Sequence, residues 1–147
     1  MGFFSKIFRK RETDTAKETK YKTLKTIYNL MSQNAVYPMI LGDKRYLITG
    51  GTSVILSLKK QYSDIDEYYD TEREHGYMIG NATYYMTRDQ VKYVINDYSN
   101  FIDVIVAKYE ELREKIRRCD SPESISKIEI PSDPSWWTNG YTPIIKK

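Results

Sequence analysis

Residues 87–122 read TRDQVKYVINDYSNFIDVIVAKYEELREKIRRCDSP, and the fold class turns on how this stretch is interpreted. Thr87 with Gln90 three residues later forms a capping box, the signature of a helix start. From Val91 onward, apolar residues at positions 94, 95, 98, 102, 105, 109, 112 and 116 keep helical spacing, up to the basic cluster Arg113, Lys115, Arg117, Arg118 and the stop Ser121-Pro122. One helix over 88–118 is the simplest reading. A competing one breaks it at Ser99-Asn100, because Phe101-Ile102-Asp103-Val104-Ile105-Val106 is rich in β-branched residues and suits a buried strand between two helices. Periodicity alone leaves both open.

Upstream, Thr15 and Glu18 form another capping box, and Leu24, Ile27, Tyr28 and Met31 repeat at helical spacing, which predicts a helix over about 16–33. Segments 36–41 and 45–49 read as strands on either side of Gly42-Asp43, with Pro38 confining the first to an edge. The second runs into Gly50-Gly51, after which Thr52 or Ser53 caps a short helix ending near Lys60, with Val54, Ile55 and Leu58 facing inward. Ser63 to Asp70 alternates well enough for a strand, and 77–86 reads as a hairpin around Gly80-Asn81. The expected fold is therefore α+β: a small mixed sheet, an N-terminal helix and a long C-terminal helical segment. It divides into a basic amphipathic arm (1–12), a single domain (13–119) and an extended tail (120–147), in which four prolines break any long element.

Composition narrows the function. The chain has 147 residues, enough for one domain, and 40% hydrophobic with 29% charged residues is the balance of a folded globular chain. The lone cysteine, Cys119, cannot pair internally, and with His75 as the lone histidine no thiolate–imidazole zinc site can form. Surface positions explain both. No apolar run approaches the roughly 20 residues of a membrane span, and residues 2–11 are too interrupted for a secretory signal. A cytoplasmic location, or incorporation into a phage particle, is expected, and the abundance of Tyr and Lys fits an AT-rich bacterial or phage genome.

The net charge of +3 is unevenly placed: residues 1–25 carry eight Lys or Arg against three carboxylates, whereas 63–75 carry six carboxylates against Arg73. The basic arm with Tyr21 and Tyr28 indicates nucleic acid only weakly, because glycine–aromatic interleaving is absent. Phe3, Phe4, Ile7 and Phe8 fall on one side of a helical turn, which would lie on a membrane surface, in a partner's groove, or as a cap on the domain's own core. Trp136-Trp137 offers a second apolar anchor, for the core or for a protein partner. An EF-hand over the acidic stretch is excluded by Tyr68 and Tyr69, and a dinucleotide-binding turn by Val54 and Leu56 where glycines are required.

One arrangement points to chemistry. A strand enters Gly50-Gly51-Thr52-Ser53, a short helix follows, and Asp64-Ile65-Asp66 comes thirteen positions after Gly51. This order resembles the nucleotidyltransferase superfamily that includes DNA polymerase β and the minimal and abortive-infection nucleotidyltransferases. The resemblance covers about residues 45–106. It implies that Gly50, Gly51, Thr52 and Ser53 hold an NTP's triphosphate at a helix N-terminus, that Asp64 and Asp66 on one face of a strand hold Mg²⁺, and that Asp103 completes the catalytic set and helps deprotonate a hydroxyl acceptor. The last role requires the 101–106 strand. The plainer reading makes Gly50-Gly51 a hairpin turn and the acidic stretch a solvated face. On that reading the protein is a non-enzymatic subunit of a larger assembly, a phage particle or a membrane-associated complex, with Phe3, Phe4, Phe8, Trp136 and Trp137 as contacts to a protein partner or to further copies of itself.

Overall fold

A computed structural model describes residues 2–65 and 72–144, of which residues 2–5 are described by their backbone alone. The elements run α1 (Gly2–Asn34), β1 (Tyr37–Leu41), β2 (Lys44–Ile48), α2 (Thr52–Asp64), β3 (His75–Ile79), β4 (Ala82–Met86), α3 (Arg88–Arg118), α4 (Pro122–Ser126) and α5 (Pro134–Thr138). The class is α+β, as the sequence predicts.

The helix α3 is continuous. Thr87 accepts the Gln90 backbone N–H at 3.2 Å while the Gln90 side chain accepts that of Thr87 at 2.9 Å, so the capping box forms. Its β-branched run does not break it, because Phe101, Ile102 and Ile105 continue the buried stripe set by Val91, Val94 and Tyr98. Strand propensity is the weaker influence once that stripe has a partner to pack on. The strand expected at 101–106 does not form.

The first half of α3 packs on β1, α2 and the tail, where the Tyr37 ring stacks on Tyr98 at 4.2 Å and Tyr141 meets Phe101 at 5.0 Å. Its second half packs on α1, which lies antiparallel to it: the Lys17 ammonium donates to the Arg117 carbonyl at 2.8 Å, and eleven residues further on the Tyr28 ring meets Tyr109 at 4.4 Å. Helix α1 is already under way at Gly2, so the capping box at Thr15 is not used. No glycine or proline lies between Phe3 and Asn34 to stop it. The hydroxyl of Thr13 bonds back to the Arg9 carbonyl at 2.8 Å, satisfying itself within the helix.

The two hairpins close at Gly42-Asp43 and Gly80-Asn81, and both glycines adopt the positive φ that such turns require. Among the described residues the expected small mixed sheet is instead two separate antiparallel two-stranded sheets. They meet through side chains, with Tyr46 and Tyr84 edge to face at 5.1 Å. Helix α2 runs past Lys60 to Asp64, so Ser63 and Asp64 are helical where a strand over 63–70 was expected; positions 66–70 of that strand lie outside the described residues. The physical reason is Gln61. Its amide bonds both the N–H and the C=O of Met78 at 2.7 and 2.8 Å, tying the last turns of α2 along the edge of β3.

The tail packs back on the body. Ser121 and Ser124 cap α4, Asp133 caps α5, and Trp137 is fully buried, with its indole N–H donating to the Pro131 carbonyl at 2.8 Å.

Candidate functional site

The glycine turn is where the sequence places it, between β2 and α2. Gly50 has φ +116° and Gly51 φ +59°. The turn's amides are partly consumed by the chain itself: Gly50 donates to the Gln33 carbonyl at 2.9 Å, and Gly51 to the buried hydroxyl of Tyr98 at 2.8 Å. A Cβ on Gly51 would collide with the Ser32 carbonyl oxygen. The glycines thus allow a close approach of the turn to the end of α1. Thr52 and Ser53 are exposed, and the Ser53 hydroxyl bonds back to the Gly50 carbonyl at 2.8 Å. Burial pushes the Tyr98 hydroxyl up from its ordinary titration range, with the Gly51 N–H pulling the other way.

The carboxylates are distributed differently from the expectation. Asp64 is the exposed last residue of α2 and not a strand residue, while Asp103 is exposed on the outer side of α3. Asp66 lies outside the described residues. Among the described residues, no group of three or more His, Cys, Asp or Glu side chains is placed to hold a metal ion.

The buried carboxylate is one the sequence reading passed over. Asp97 sits inside the core and accepts from the Tyr37 hydroxyl at 2.7 Å, the Tyr141 hydroxyl at 2.6 Å and the Ile144 backbone N–H at 2.8 Å. Burial first, and then the bond to Asp97, push both tyrosines well above their ordinary range. Among the described residues three neutral donors serve this one carboxylate, and together they clamp β1 and the tail to α3. A signal was available: Asp97 stands three residues after Val94 and four before Phe101, on the apolar stripe itself.

Two further surfaces carry apolar side chains. A groove of about 500 Å³ runs between the hairpins, with Ser53, Val54 and Ser57 of α2 along its floor and Leu47 and Met78 on its walls. Leu47 is 69% exposed and Met78 56%. The second is the start of α1, where Phe8 is 61% exposed, so it does not cap the core. The side chains of Phe3 and Phe4 lie outside the described residues. Trp136 and Trp137, by contrast, are not free anchors. Trp137 is core, and Trp136 is half-buried beneath the Lys108 ammonium, 5.0 Å from its ring. A larger groove between α1 and α3, about 750 Å³, is lined by charges of both signs, which partly neutralise one another. There Glu114 is held at about 2 by hydrogen bonds from Arg117 and Arg118.

Comparison with protein-family models, with curated proteins and with solved structures returns no significant match for this chain. Among the described residues no helix is long and apolar enough to cross a membrane.

Proposed function

We propose that this protein is a non-catalytic interaction subunit that holds an extended segment of a partner protein against the groove between its hairpins. The observation that carries this reading is the pair Leu47 and Met78, two large apolar side chains more than half exposed on the walls of one groove. Gln61 occupies the edge of β3, while among the described residues β2 pairs with β1 on one side only, which leaves its other edge for backbone pairing. An extended segment added there would seat alternate side chains in the groove. Benzoylphenylalanine placed at Leu47 or Met78 should give a discrete cross-linked adduct in the native cell, and the same group at exposed Lys92 should not. Equal labelling from all three positions would defeat the proposal.

A nucleotidyltransferase is the second reading, favoured by the strand, glycine-turn and helix order at 44–64. Under it, Gly50 to Ser53 receive the triphosphate of an NTP, and Asp64 with Asp66 bind Mg²⁺. An NTP with Mg²⁺ should then raise the melting temperature by mass action, and the double change Asp64→Ala with Asp66→Ala should remove that shift. No shift at saturating nucleotide would discard this reading and leave the first intact.

A further inference from the structure

Helix α1 has two differently built parts. From Thr13 onward it docks on the body, with Thr13 and Leu24 buried and α3 and α4 packed against it. Before Thr13, every residue from Lys6 to Glu12 is exposed. Within that arm Phe8 is largely uncovered, Ile7 partly so, and Lys6, Arg9, Lys10 and Arg11 bring four positive charges with no acidic residue before Glu12. Among the described residues, Arg9 alone of the four has a carboxylate within ion-pair range, Glu123 at 4.0 Å, and both of those side chains are mostly exposed.

The direction of the arm's apolar face matters more than its composition. At about 100° per residue, helix positions 3, 4, 7 and 8 span a face roughly 140° wide. The buried residues Thr13 and Leu24 lie on the other side of the same helix, turned from the centre of that face by about 140°. The body therefore stands behind the arm and leaves the apolar face open to a flat surface. The face also ends abruptly, because Arg11, Thr15, Glu18 and Lys22 occupy the same direction further along α1.

We infer that the first three turns of α1 form an interfacial anchor that lays Ile7 and Phe8 into the surface of an anionic lipid membrane. A bilayer with acidic headgroups uses both features of the arm: Ile7 and Phe8 enter the boundary between headgroups and acyl chains, while Lys10 at the edge of the face and Arg11 at its end meet phosphates. A nucleic acid would use the cations and leave the apolar face in water. An apolar protein groove would use the face and leave three unpaired cations idle. Because α1 continues without a break, the anchor fixes the orientation of the whole molecule on the surface.

The test uses the full chain with vesicles of phosphatidylcholine alone and of phosphatidylcholine mixed with phosphatidylglycerol. Sedimentation should carry the protein down with the mixed vesicles and not with the neutral ones, and raised salt should weaken the association. Phe8→Glu, and separately Lys10→Gln with Arg11→Gln, should each weaken it by roughly tenfold or more, while the melting temperature of both variants stays that of the parent. In Phe8→Trp the new indole emission should shift to the blue on mixed vesicles alone. Failure to sediment with either vesicle overturns the inference. So does sedimentation that Phe8→Glu leaves unchanged, since that is electrostatic adsorption without insertion. Binding of a labelled oligonucleotide that survives Phe8→Glu, in the absence of vesicle binding, would assign the arm to nucleic acid instead.

Discussion

Among the described residues no salt bridge reaches Asp97, yet it is the polar centre of the fold. Its carboxylate satisfies the hydroxyls of Tyr37 and Tyr141 and the Ile144 N–H, each from a different part of the chain. Asp97→Ala removes the acceptor and leaves those donors behind; at about 1–3 kcal/mol for each buried orphan, with water reaching the two tail donors, the expected loss is about 3 kcal/mol. Urea unfolding measures it. Asp97→Asn keeps one acceptor oxygen and should recover part of the loss, and a variant as stable as the parent would show that water replaces the carboxylate. The tyrosines give this cluster a pH dependence. Tyr37, Tyr98 and Tyr141 have hydroxyls raised above the ordinary 10.0, so the folded state holds those protons more tightly than the unfolded chain does. The stability they contribute is complete below pH 10 and is lost as pH rises beyond it. Thermal melts through the alkaline range should fall steeply there, and in Tyr37→Phe with Tyr141→Phe the fall should be shallower.

At the scale of elements, what was legible in the sequence was local and what was not depended on contacts between elements. Both hairpins could be read because Gly42-Asp43 and Gly80-Asn81 specify tight turns wherever they occur. That the hairpins remain two sheets was not legible, because the edge of β3 is taken by Gln61, a residue of a helix. The start of α1 was misplaced because a good capping box at Thr15 is only an invitation, and nothing before it obliges the helix to begin there. For α3, the run Phe101 to Val106 carried opposite local and periodic signals, and burial of Ile102 and Ile105 decided for the helix. Asn100→Pro tests that decision. Asn100 is exposed and interior to α3, so nothing but the helix suffers: proline removes one backbone bond and clashes with the preceding turn, for a loss of about 3 kcal/mol. A near-neutral change would mean that the helix is divided at this point, and the strand that the three-carboxylate site requires would return to consideration.

For the whole molecule, the candidate site was legible only as a list of residue types. Aspartates two apart share a face only if they lie on a strand, and Asp64 closes a helix. The groove between the hairpins is not legible in the sequence, because which faces Leu47 and Met78 take depends on how the strands are placed. The sequence presents the two ends as equivalent contact elements, and their burial separates them. With 33 residues, α1 is about 50 Å long, so the arm and the glycine turn sit near opposite ends of one rod. The tail instead folds across the middle, delivering Trp137 to the core, where it lies 6.5 Å from the Tyr28 ring, and Tyr141 to Asp97. Deleting 132–147 therefore removes a buried indole and two of the three donors on a buried anion, for a loss of about 4 kcal/mol or more. Deleting 1–11 removes exposed turns of a helix whose docking begins at Thr13, and should leave the unfolding midpoint nearly where it was. Urea unfolding of the two truncated chains beside the parent makes the comparison. Equal destabilisation by both would mean that the arm packs on the body, and the surface anchor would lose the freedom on which it depends; loss confined to the tail deletion keeps the arm free to act on something outside the molecule.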